Sequence, residues 1–192
     1  SEADHETLLD EWKIRIIREN LFEPEIVYGY YKCHNKDRNL VVENNGESVE
    51  FNFPRSTKEH HLCLTDYFGG DDIVAFQAVT VGTKVTKIIE DWNKEDKYTD
   101  AYYLHGLAVE VAEALAEWTN QKIKSELKIT KGGLRYSWGF PSCPDVEQHH
   151  LVWKLLEPEK SGMTLTESGQ IIPEQSTAAI VVHHPDAEYF VL

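Results

Sequence analysis

One run of the chain is longer and more continuously apolar than its other strand-like segments: Asp72-Ile-Val-Ala-Phe-Gln-Ala-Val-Thr-Val81. A strand that faces water on one side alternates apolar and polar residues, whereas a strand buried on both faces reads as an unbroken apolar run. The run therefore predicts a central strand with other elements packed against both of its faces.

Shorter segments on either side of this run predict the rest of a sheet. Two strands are predicted at the end of the chain, over Ser176–His184 and Glu188–Leu192. Asn44-Asn45-Gly46 has the composition of a hairpin turn between two of the earlier strands. These earlier segments are rich in β-branched and aromatic residues, and they are Glu25–Cys33, Asn39–Glu43, Val49–Phe53 and His61–Leu64.

Apolar residues at helical spacing predict four helices. They cover the first twenty residues, Thr83–Trp92, Thr99–Lys124 and Asp145–Leu156. The opposite side of the third helix is small and mostly apolar, which predicts a helix covered on two sides with Glu113 under cover. Its main apolar stripe is Leu104, Leu107, Ala108, Val111, Leu115 and Trp118.

The order of strands, helices and strands again, with short links, indicates an α+β fold. We predict one domain over residues 1–192, built on a mostly antiparallel sheet that is flanked by helices.

Composition limits the class of protein and its partners. A formal net charge of −14 disfavours nucleic acid and anionic membrane as partners. No apolar run approaches the roughly 20 residues that a membrane span needs. Cys33, Cys63 and Cys143 lack metal or redox spacing and are typical of buried or idle thiols. We therefore expect a cytoplasmic protein without a nucleic-acid or membrane partner.

The ordinary catalytic patterns are missing from the sequence. Adjacent histidines occur as His60-His61, His149-His150 and His183-His184, but neighbours point in different directions on a helix or a strand. A metal site assembled from distant histidines stays open, although no metal ligand is assigned. No nucleophile with a paired base is evident. We therefore assign no catalytic residue, and an enzyme that acts alone on a small substrate is the least favoured reading.

The run Arg135-Tyr-Ser-Trp-Gly-Phe-Pro-Ser-Cys-Pro-Asp145 combines groups that suit a small ligand. A guanidinium such as that of Arg135 can grip a carboxylate with two parallel hydrogen bonds. Gly139 lets a ligand approach the main chain, and Phe140 offers a flat surface. Pro144-Asp145 fits the first turn of a helix. The run predicts a site for a ligand that carries a carboxylate and a flat ring.

Basic residues gather just before this run, with only Glu126 opposing them. They complement the dipole of a solvated helix end, or they form a positive rim that docks an acidic protein partner. Both interpretations remain open from the sequence. The residues are Lys122, Lys124, Lys128, Lys131 and Arg135.

Eight segments together resemble the C-terminal activation domain of cobalamin-dependent methionine synthase. They occur in the family's order from about residue 8 to the end of the chain. The segments are Val27-Tyr-Gly-Tyr30, Phe53-Pro-Arg55, Leu62-Cys-Leu-Thr-Asp66, Gln77-Ala-Val-Thr-Val-Gly82, His105-Gly-Leu-Ala-Val-Glu-Val-Ala-Glu-Ala-Leu-Ala-Glu-Trp118, the Arg135–Asp145 run, Pro173-Glu-Gln-Ser-Thr-Ala-Ala-Ile180 and His184-Pro-Asp-Ala-Glu-Tyr-Phe190.

The resemblance implies a C-shaped α+β domain that binds S-adenosylmethionine. Such a domain caps the cobalamin-binding domain of methionine synthase, so that cobalamin is contacted here but carried by another domain or chain. Flavodoxin or an equivalent reductase supplies an electron to inactive cob(II)alamin, and S-adenosylmethionine supplies the methyl group that restores methylcobalamin. The chain would be one module of a methyltransferase and would not be active alone.

The resemblance also implies roles for five residues. Arg135 matches the arginine that holds the methionyl carboxylate. Gly139 and Phe140 match the Gly-Tyr pair where the main chain approaches the ligand. Glu113 matches a helix carboxylate suited to an ammonium or sulfonium group, and Tyr189 matches a tyrosine that lines the pocket and faces the sulfonium.

The sequence departs from the family pattern at three places. Phe140 lacks the hydroxyl of the usual tyrosine, and the link from Lys128 to Arg135 is shorter and lacks an acidic ligand contact. The family's N-terminal portion, with a site aspartate, is missing from the sequence as given. Weaker S-adenosylmethionine binding is our hypothesis. Two alternatives follow: a degenerate, non-catalytic docking partner, and a stand-alone reactivator of another corrinoid methyltransferase.

Overall fold

The computed structural model describes residues 2–58 and 60–192, with side chains from residue 6 onward. Its helices are α1 (Glu2–Arg18), α2 (Thr83–Lys94), α3 (Tyr98–Glu126) and α4 (His149–Leu156). Its strands are β1 (Glu25–Lys36), β2 (Asn39–Asn44), β3 (Glu47–Asn52), β4 (Asp72–Thr80), β5 (Leu134–Ser137), β6 (Thr164–Leu165), β7 (Ile171–Ile172) and β8 (Ser176–Val182).

Six strands form one sheet in the order β3-β2-β1-β4-β8-β5, and every neighbouring pair is antiparallel. Strands β6 and β7 make a separate two-stranded sheet. Helices flank the main sheet, as the contacts of α3 with β4 and β8 and of α4 with β1 and β4 show. The predicted α+β fold with a mostly antiparallel sheet is therefore confirmed.

Strand β4 lies between β1 and β8 and is covered on both faces, as its unbroken apolar run predicts. Successive side chains of a strand point to opposite faces. Val74 and Phe76 pack into the large core that includes Val152 of α4. Ala75 packs on the other face against Ile123 of α3. The burial of both faces explains why the run does not alternate.

The predicted turn at Asn44-Asn45-Gly46 joins β2 and β3. Asn45 and Gly46 have φ values of 51° and 87°, and Asn44 pairs directly with Glu47 across the hairpin. Left-handed backbone at both central positions is the requirement that asparagine and glycine meet at low cost. The hairpin prediction is confirmed.

A second apolar cluster joins α1, α2 and α3. Trp12, Val85 and Leu104 are buried in it. The guanidinium of Arg15 lies 5.0 Å from the ring of Trp12 and 4.6 Å from that of Trp92, within the range of cation–π attraction.

Among the described residues, no helix is both long enough and apolar enough to cross a membrane.

Two predicted strands are wrong. His61–Leu64 is irregular and leads into a short 3₁₀ turn, because the Cys63 N–H donates to Asp66 (3.0 Å) and His61 has a left-handed φ of 48°. Glu188–Leu192 also forms no strand. Side-chain hydroxyls bind its backbone, since the carbonyl of Val191 accepts from Ser56 at 2.6 Å. This long-range side-chain bond takes a backbone acceptor that a strand would use in ladder pairing.

The buried face of α3 differs from the predicted stripe. Trp118 is 58% exposed, so its assignment to the buried stripe is wrong. Leu107, Val111 and Leu115 of the predicted stripe are only partly buried. The buried residues are Ala101, Leu104, Ala108, Ala112, Ala116, Thr119, Asn120 and Ile123.

Asp72 at the start of β4 accepts three hydrogen bonds. The backbone N–H groups of Gly69 and Ile73 donate to it at 2.8 Å each, and His183 Nε2 lies 2.7 Å from Oδ1. Burial opposes ionisation of this carboxyl, but the hydrogen bonds outweigh burial and lower its pKa. The ionised form of Asp72 therefore stabilises the start of the central strand.

We expect Asp72→Asn to lower the free energy of unfolding by about 1–2 kcal/mol at pH 7, because an amide is a weaker acceptor than a carboxylate. The folded pKa of Asp72 lies below the unfolded value of about 3.9. The loss of unfolding free energy in Asp72→Asn should therefore be full above about pH 4, and it should shrink as the pH falls through the folded pKa of Asp72. Urea unfolding from pH 7 to pH 3 measures it. Asp71→Asn, at the exposed neighbour, is the control, and a difference that does not change with pH would contradict the assignment.

Candidate functional site

A cavity of about 630 Å³ lies where β5, the loop after it and the C-terminal segment meet. Four of the five residues predicted for the ligand site line it: Glu113, Arg135, Phe140 and Tyr189. The other lining residues are Ser56, Lys58, Leu62, Tyr136, Ser137, Pro141, Ser142, Glu188, Phe190 and Val191. The fold thus brings together side chains from distant parts of the chain.

Arg135 lies on the edge strand β5, which was not among the strands predicted from the sequence. Strand β5 is only four residues long and pairs with β8, so that Arg135 lies opposite Val181. Tyr136 packs into the core on one face of the sheet. Side chains alternate along a strand, so Arg135 points to the other face, towards α3. The sheet therefore fixes the direction of this guanidinium.

Two glutamates of α3 bind Arg135. Its Nη2 donates to Glu113 at 2.8 Å and its Nε donates to Glu117 at 3.3 Å, while Ser137 Oγ lies 3.5 Å from Nη1. Burial opposes the charge of Arg135, but the two carboxylates outweigh burial and raise its pKa further. The guanidinium is charged and 16% exposed. It is therefore a partly desolvated cation at the wall of the cavity.

Glu113 is not under cover, contrary to the sequence prediction. Its side chain is 47% exposed, because the face of α3 that carries Glu113 and Glu117 turns past the edge of the sheet towards β5. The carboxylate still reaches the cavity. Glu113 therefore offers a negative charge that a cationic ligand group can approach from solvent.

A tight turn follows β5 and presents Phe140. The Gly139 N–H donates to the Cys143 carbonyl (2.8 Å) and the Cys143 N–H donates to the Phe140 carbonyl (2.9 Å). Gly139 has a φ of 94°, a conformation that glycine tolerates. It does not line the cavity itself, whereas the ring of Phe140 is 58% exposed beside it. The turn is anchored by Trp138, which is buried in the core.

Tyr189 approaches from the C-terminal segment. Its hydroxyl donates to the Arg135 carbonyl at 3.2 Å, and its ring meets Tyr136 edge to face at 5.2 Å. The Tyr136 hydroxyl in turn donates to the Glu188 carbonyl at 2.7 Å. These contacts hold a 66% exposed aromatic ring at the mouth of the cavity, next to the guanidinium.

Comparison with known families identifies the type of domain. The model of the vitamin B12 dependent methionine synthase activation domain matches residues 3–192. The chain belongs to this family. The resemblance stated from the eight sequence segments is therefore confirmed.

Two mycobacterial methionine synthases are similar to this activation domain. The protein of Mycobacterium tuberculosis is 32% identical over 199 residues, which cover 86% of this chain and 17% of that protein. The protein of Mycobacterium leprae is 31% identical over 199 residues, which cover 86% of this chain and 16% of that protein. The activation domain thus spans about a sixth of the length of these relatives.

A solved structure has the same fold as this activation domain. It is described as the crystal structure of the MetH reactivation domain bound to AdoHcy, and it superposes with a TM-score of 0.84. The match covers 98% of this chain and 66% of that one, at 21% sequence identity. At this identity the likeness establishes the fold.

Several residues that line the cavity of the activation domain escaped sequence analysis. Ser56, Lys58 and Leu62 come from the irregular segment that was predicted to end in a strand. Ser56 is 3% exposed and its hydroxyl bonds Val191, which ties this segment to the C-terminus. The family segments Phe53-Pro-Arg55 and Leu62-Cys-Leu-Thr-Asp66 were the sequence signals in this region. Residues on irregular segments show no periodic apolar pattern, so their place in the cavity wall cannot be predicted from the sequence.

Three of the five basic residues near β5 are paired with acids. Lys122 bonds Glu126 at 3.0 Å, and Lys131 bonds Asp186 of the C-terminal segment at 3.0 Å. With Arg135 held by α3, much of the positive charge is balanced within the chain. These pairs favour the interpretation of a solvated helix end, and docking of an acidic partner stays a prediction.

The adjacent histidines His149 and His150 contact backbone carbonyl groups in the activation domain. His149 Nδ1 lies 2.7 Å from the Gly169 carbonyl and His150 Nε2 lies 3.1 Å from the Glu167 carbonyl. Within residues 2–58 and 60–192, no group of three or more histidine, cysteine or acidic side chains is placed to hold a metal ion.

Proposed function

We propose that this chain is an S-adenosylmethionine-binding reactivation module of cobalamin-dependent methionine synthase. The observation that carries the proposal is the convergence of Arg135, Glu113 and Tyr189 on one cavity. Its volume of about 630 Å³ lies within the usual range for small-molecule sites. The donor set fits an amino acid ligand that also carries a sulfonium and a flat base.

The residues present suit each part of S-adenosylmethionine. Arg135 offers a planar pair of N–H donors to the methionyl carboxylate. Glu113 offers its carboxylate to the ammonium or sulfonium group, and the ring of Tyr189 offers a negative face to a sulfonium. The exposed ring of Phe140 and the turn at Gly139 provide a surface for the base. The related reactivation domain was solved with AdoHcy, the demethylated product of this ligand, which supports the same assignment here.

In this proposal the chain binds and orients S-adenosylmethionine, while its ligands and partner proteins supply the reacting groups. S-adenosylmethionine supplies the methyl group, cobalamin held by another domain or chain receives it, and flavodoxin or an equivalent reductase supplies the electron. The chain's residues would hold the methionyl end of the donor and so orient its methyl group. Holding a donor in one orientation converts a chance encounter into an oriented one. The isolated chain is therefore not an enzyme in itself.

Titration calorimetry tests the proposal directly. We expect S-adenosylmethionine and S-adenosylhomocysteine to bind one site per chain, and both to bind more tightly than 5′-methylthioadenosine, which lacks the carboxylate and the ammonium group. With a cobalamin-binding domain and a reductant added, the chain should support S-adenosylmethionine-dependent methylation of cob(II)alamin, followed by absorbance. Failure of both adenosyl ligands to bind would leave the alternative of a degenerate docking partner.

Phe140→Tyr restores the hydroxyl that the family pattern has at this position. Because Phe140 is 58% exposed, we expect the stability of the fold to stay within about 0.5 kcal/mol of the original. One added hydrogen bond should raise the affinity for S-adenosylmethionine by about two- to tenfold. Calorimetry measures the gain, and Phe140→Leu is the control that removes the ring. An unchanged affinity in Phe140→Tyr would show that the hydroxyl has no ligand partner here.

A further inference from the structure

The contacts of Arg135 are divided between the two edges of its guanidinium. The Nε and Nη2 groups lie on the side edge, and both donate to carboxylates of α3. The end edge is formed by Nη1 and Nη2. In the described part of the chain, Nη1 donates to Ser137 Oγ at the long distance of 3.5 Å. The geometry leaves the end edge as the pair of donors that a ligand carboxylate can take.

The two glutamates that bind the side edge have different positions. Glu113 lines the cavity and can exchange Arg135 for a cationic ligand group. Glu117 is one helical turn further along α3, contacts Nε, and does not line the cavity. We therefore expect Glu117 to act on ligand binding chiefly through Arg135, the cavity residue that it binds.

Glu117 is itself held in place from its other side. Gln121 Nε2 donates to Glu117 Oε1 at 2.7 Å, while Oε2 accepts from Arg135. Glu113, Glu117 and Gln121 are spaced four residues apart and thus lie along one face of the helix. Each oxygen of the Glu117 carboxylate has a separate donor, which restricts its rotation.

We propose that Glu117 is a positioning residue that holds the Nε edge of Arg135 from outside the cavity and directs its end edge to a ligand carboxylate. The inference rests on the proposed S-adenosylmethionine site and adds to it a residue that the ligand does not touch. When Glu113 turns to a ligand ammonium, Glu117 keeps one hydrogen bond to the guanidinium. Without it, Arg135 would lose both acidic partners at the moment of binding.

The test compares ligands with and without the amino acid group. We expect Glu117→Ala to weaken S-adenosylhomocysteine binding by about three- to tenfold, the worth of one hydrogen bond to a partly buried charge. Binding of 5′-methylthioadenosine should not change, because this ligand does not reach Arg135. Glu117→Gln keeps an acceptor for Nε and should recover most of the loss. Glu110→Ala, at an exposed position of the same helix, is the matched control.

The fold should survive these substitutions, since Glu117 is 52% exposed and alanine favours a helix. Equal weakening of both ligands by Glu117→Ala, or unchanged binding of S-adenosylhomocysteine, would overturn the proposal.

A second measurement separates this inference from the proposed function. If the original chain binds neither ligand, the proposed function fails, and the NMR signal of the Arg135 Nε–H in the ligand-free chain decides the positioning role. Slow exchange of this proton with water that becomes fast in Glu117→Ala supports the role. Equal exchange rates in the two chains refute it.

Discussion

Arg135→Ala is expected to weaken S-adenosylmethionine binding by about 30- to 700-fold. The guanidinium is 16% exposed and faces the cavity with one pair of N–H donors available. Two hydrogen bonds between charged groups at such a site contribute about 2–4 kcal/mol, and each 1.4 kcal/mol is tenfold in affinity. This is the largest effect that any single contact of the proposed ligand can have.

The substitution should leave the fold intact. Its partners Glu113 and Glu117 are about half exposed, so that water replaces the lost ion pairs. Calorimetry with S-adenosylmethionine measures the change, and 5′-methylthioadenosine, which has no carboxylate, should bind as before. Arg135→Lys keeps the charge but not the planar pair of donors. Its affinity for S-adenosylmethionine should lie between that of the original chain and that of Arg135→Ala. Tight S-adenosylmethionine binding by Arg135→Ala would refute the site assignment.

Phe76→Ala is expected to lower the free energy of unfolding by about 3–5 kcal/mol. Phe76 is fully buried at the centre of β4, and its ring stacks on Phe51 at 5.0 Å and on Trp138 at 6.1 Å. Truncation removes the transfer free energy of a large ring and leaves a cavity between these aromatic side chains. Because Trp138 directly precedes Gly139, the cavity would also loosen the turn that presents Phe140.

Urea unfolding followed by circular dichroism measures this loss. Ile73→Ala is the matched control, since Ile73 lies on the same strand but is 45% exposed, and it should cost less than about 1 kcal/mol. Similar losses for the two variants would contradict the central position of β4 in the core. Weaker S-adenosylmethionine binding by Phe76→Ala at temperatures where it remains folded would connect the core to the ligand turn.

Strong local signals made most of the fold predictable. The hairpin at Asn45-Gly46 follows from the left-handed backbone that these residues accept, and the central strand follows from an apolar run without alternation. A 3₁₀ turn over Val146–Gln148 leads into α4 and begins after Asp145, whose side chain accepts from the Glu147 N–H at 3.1 Å, as the Pro-Asp pair indicated. In each case a few adjacent residues carry the physical cause.

The wrong or missing predictions concern features whose physical cause lies in residues that are distant in the sequence. Strand β5 has four residues, and its pairing with β8 depends on a partner more than 40 positions away in the sequence. The segment Glu188–Leu192 has strand-like composition, yet hydroxyls of Ser56 and Tyr136 take its carbonyl groups. The exposure of Glu113 depends on how α3 packs against the sheet. None of these partners can be identified from the local sequence.

The sequence by itself determined the family and the order of the main elements, and it supplied the charged and aromatic groups that we propose for ligand binding. These properties depend on side-chain chemistry and short-range backbone preference, and neither of these requires the chain to be folded. Only the tertiary structure decided that Arg135 points from a strand towards α3, that its Nε donates to Glu117, and that the C-terminal segment forms one wall of the cavity. Each of those depends on distances between residues far apart in the chain, and folding alone sets such distances.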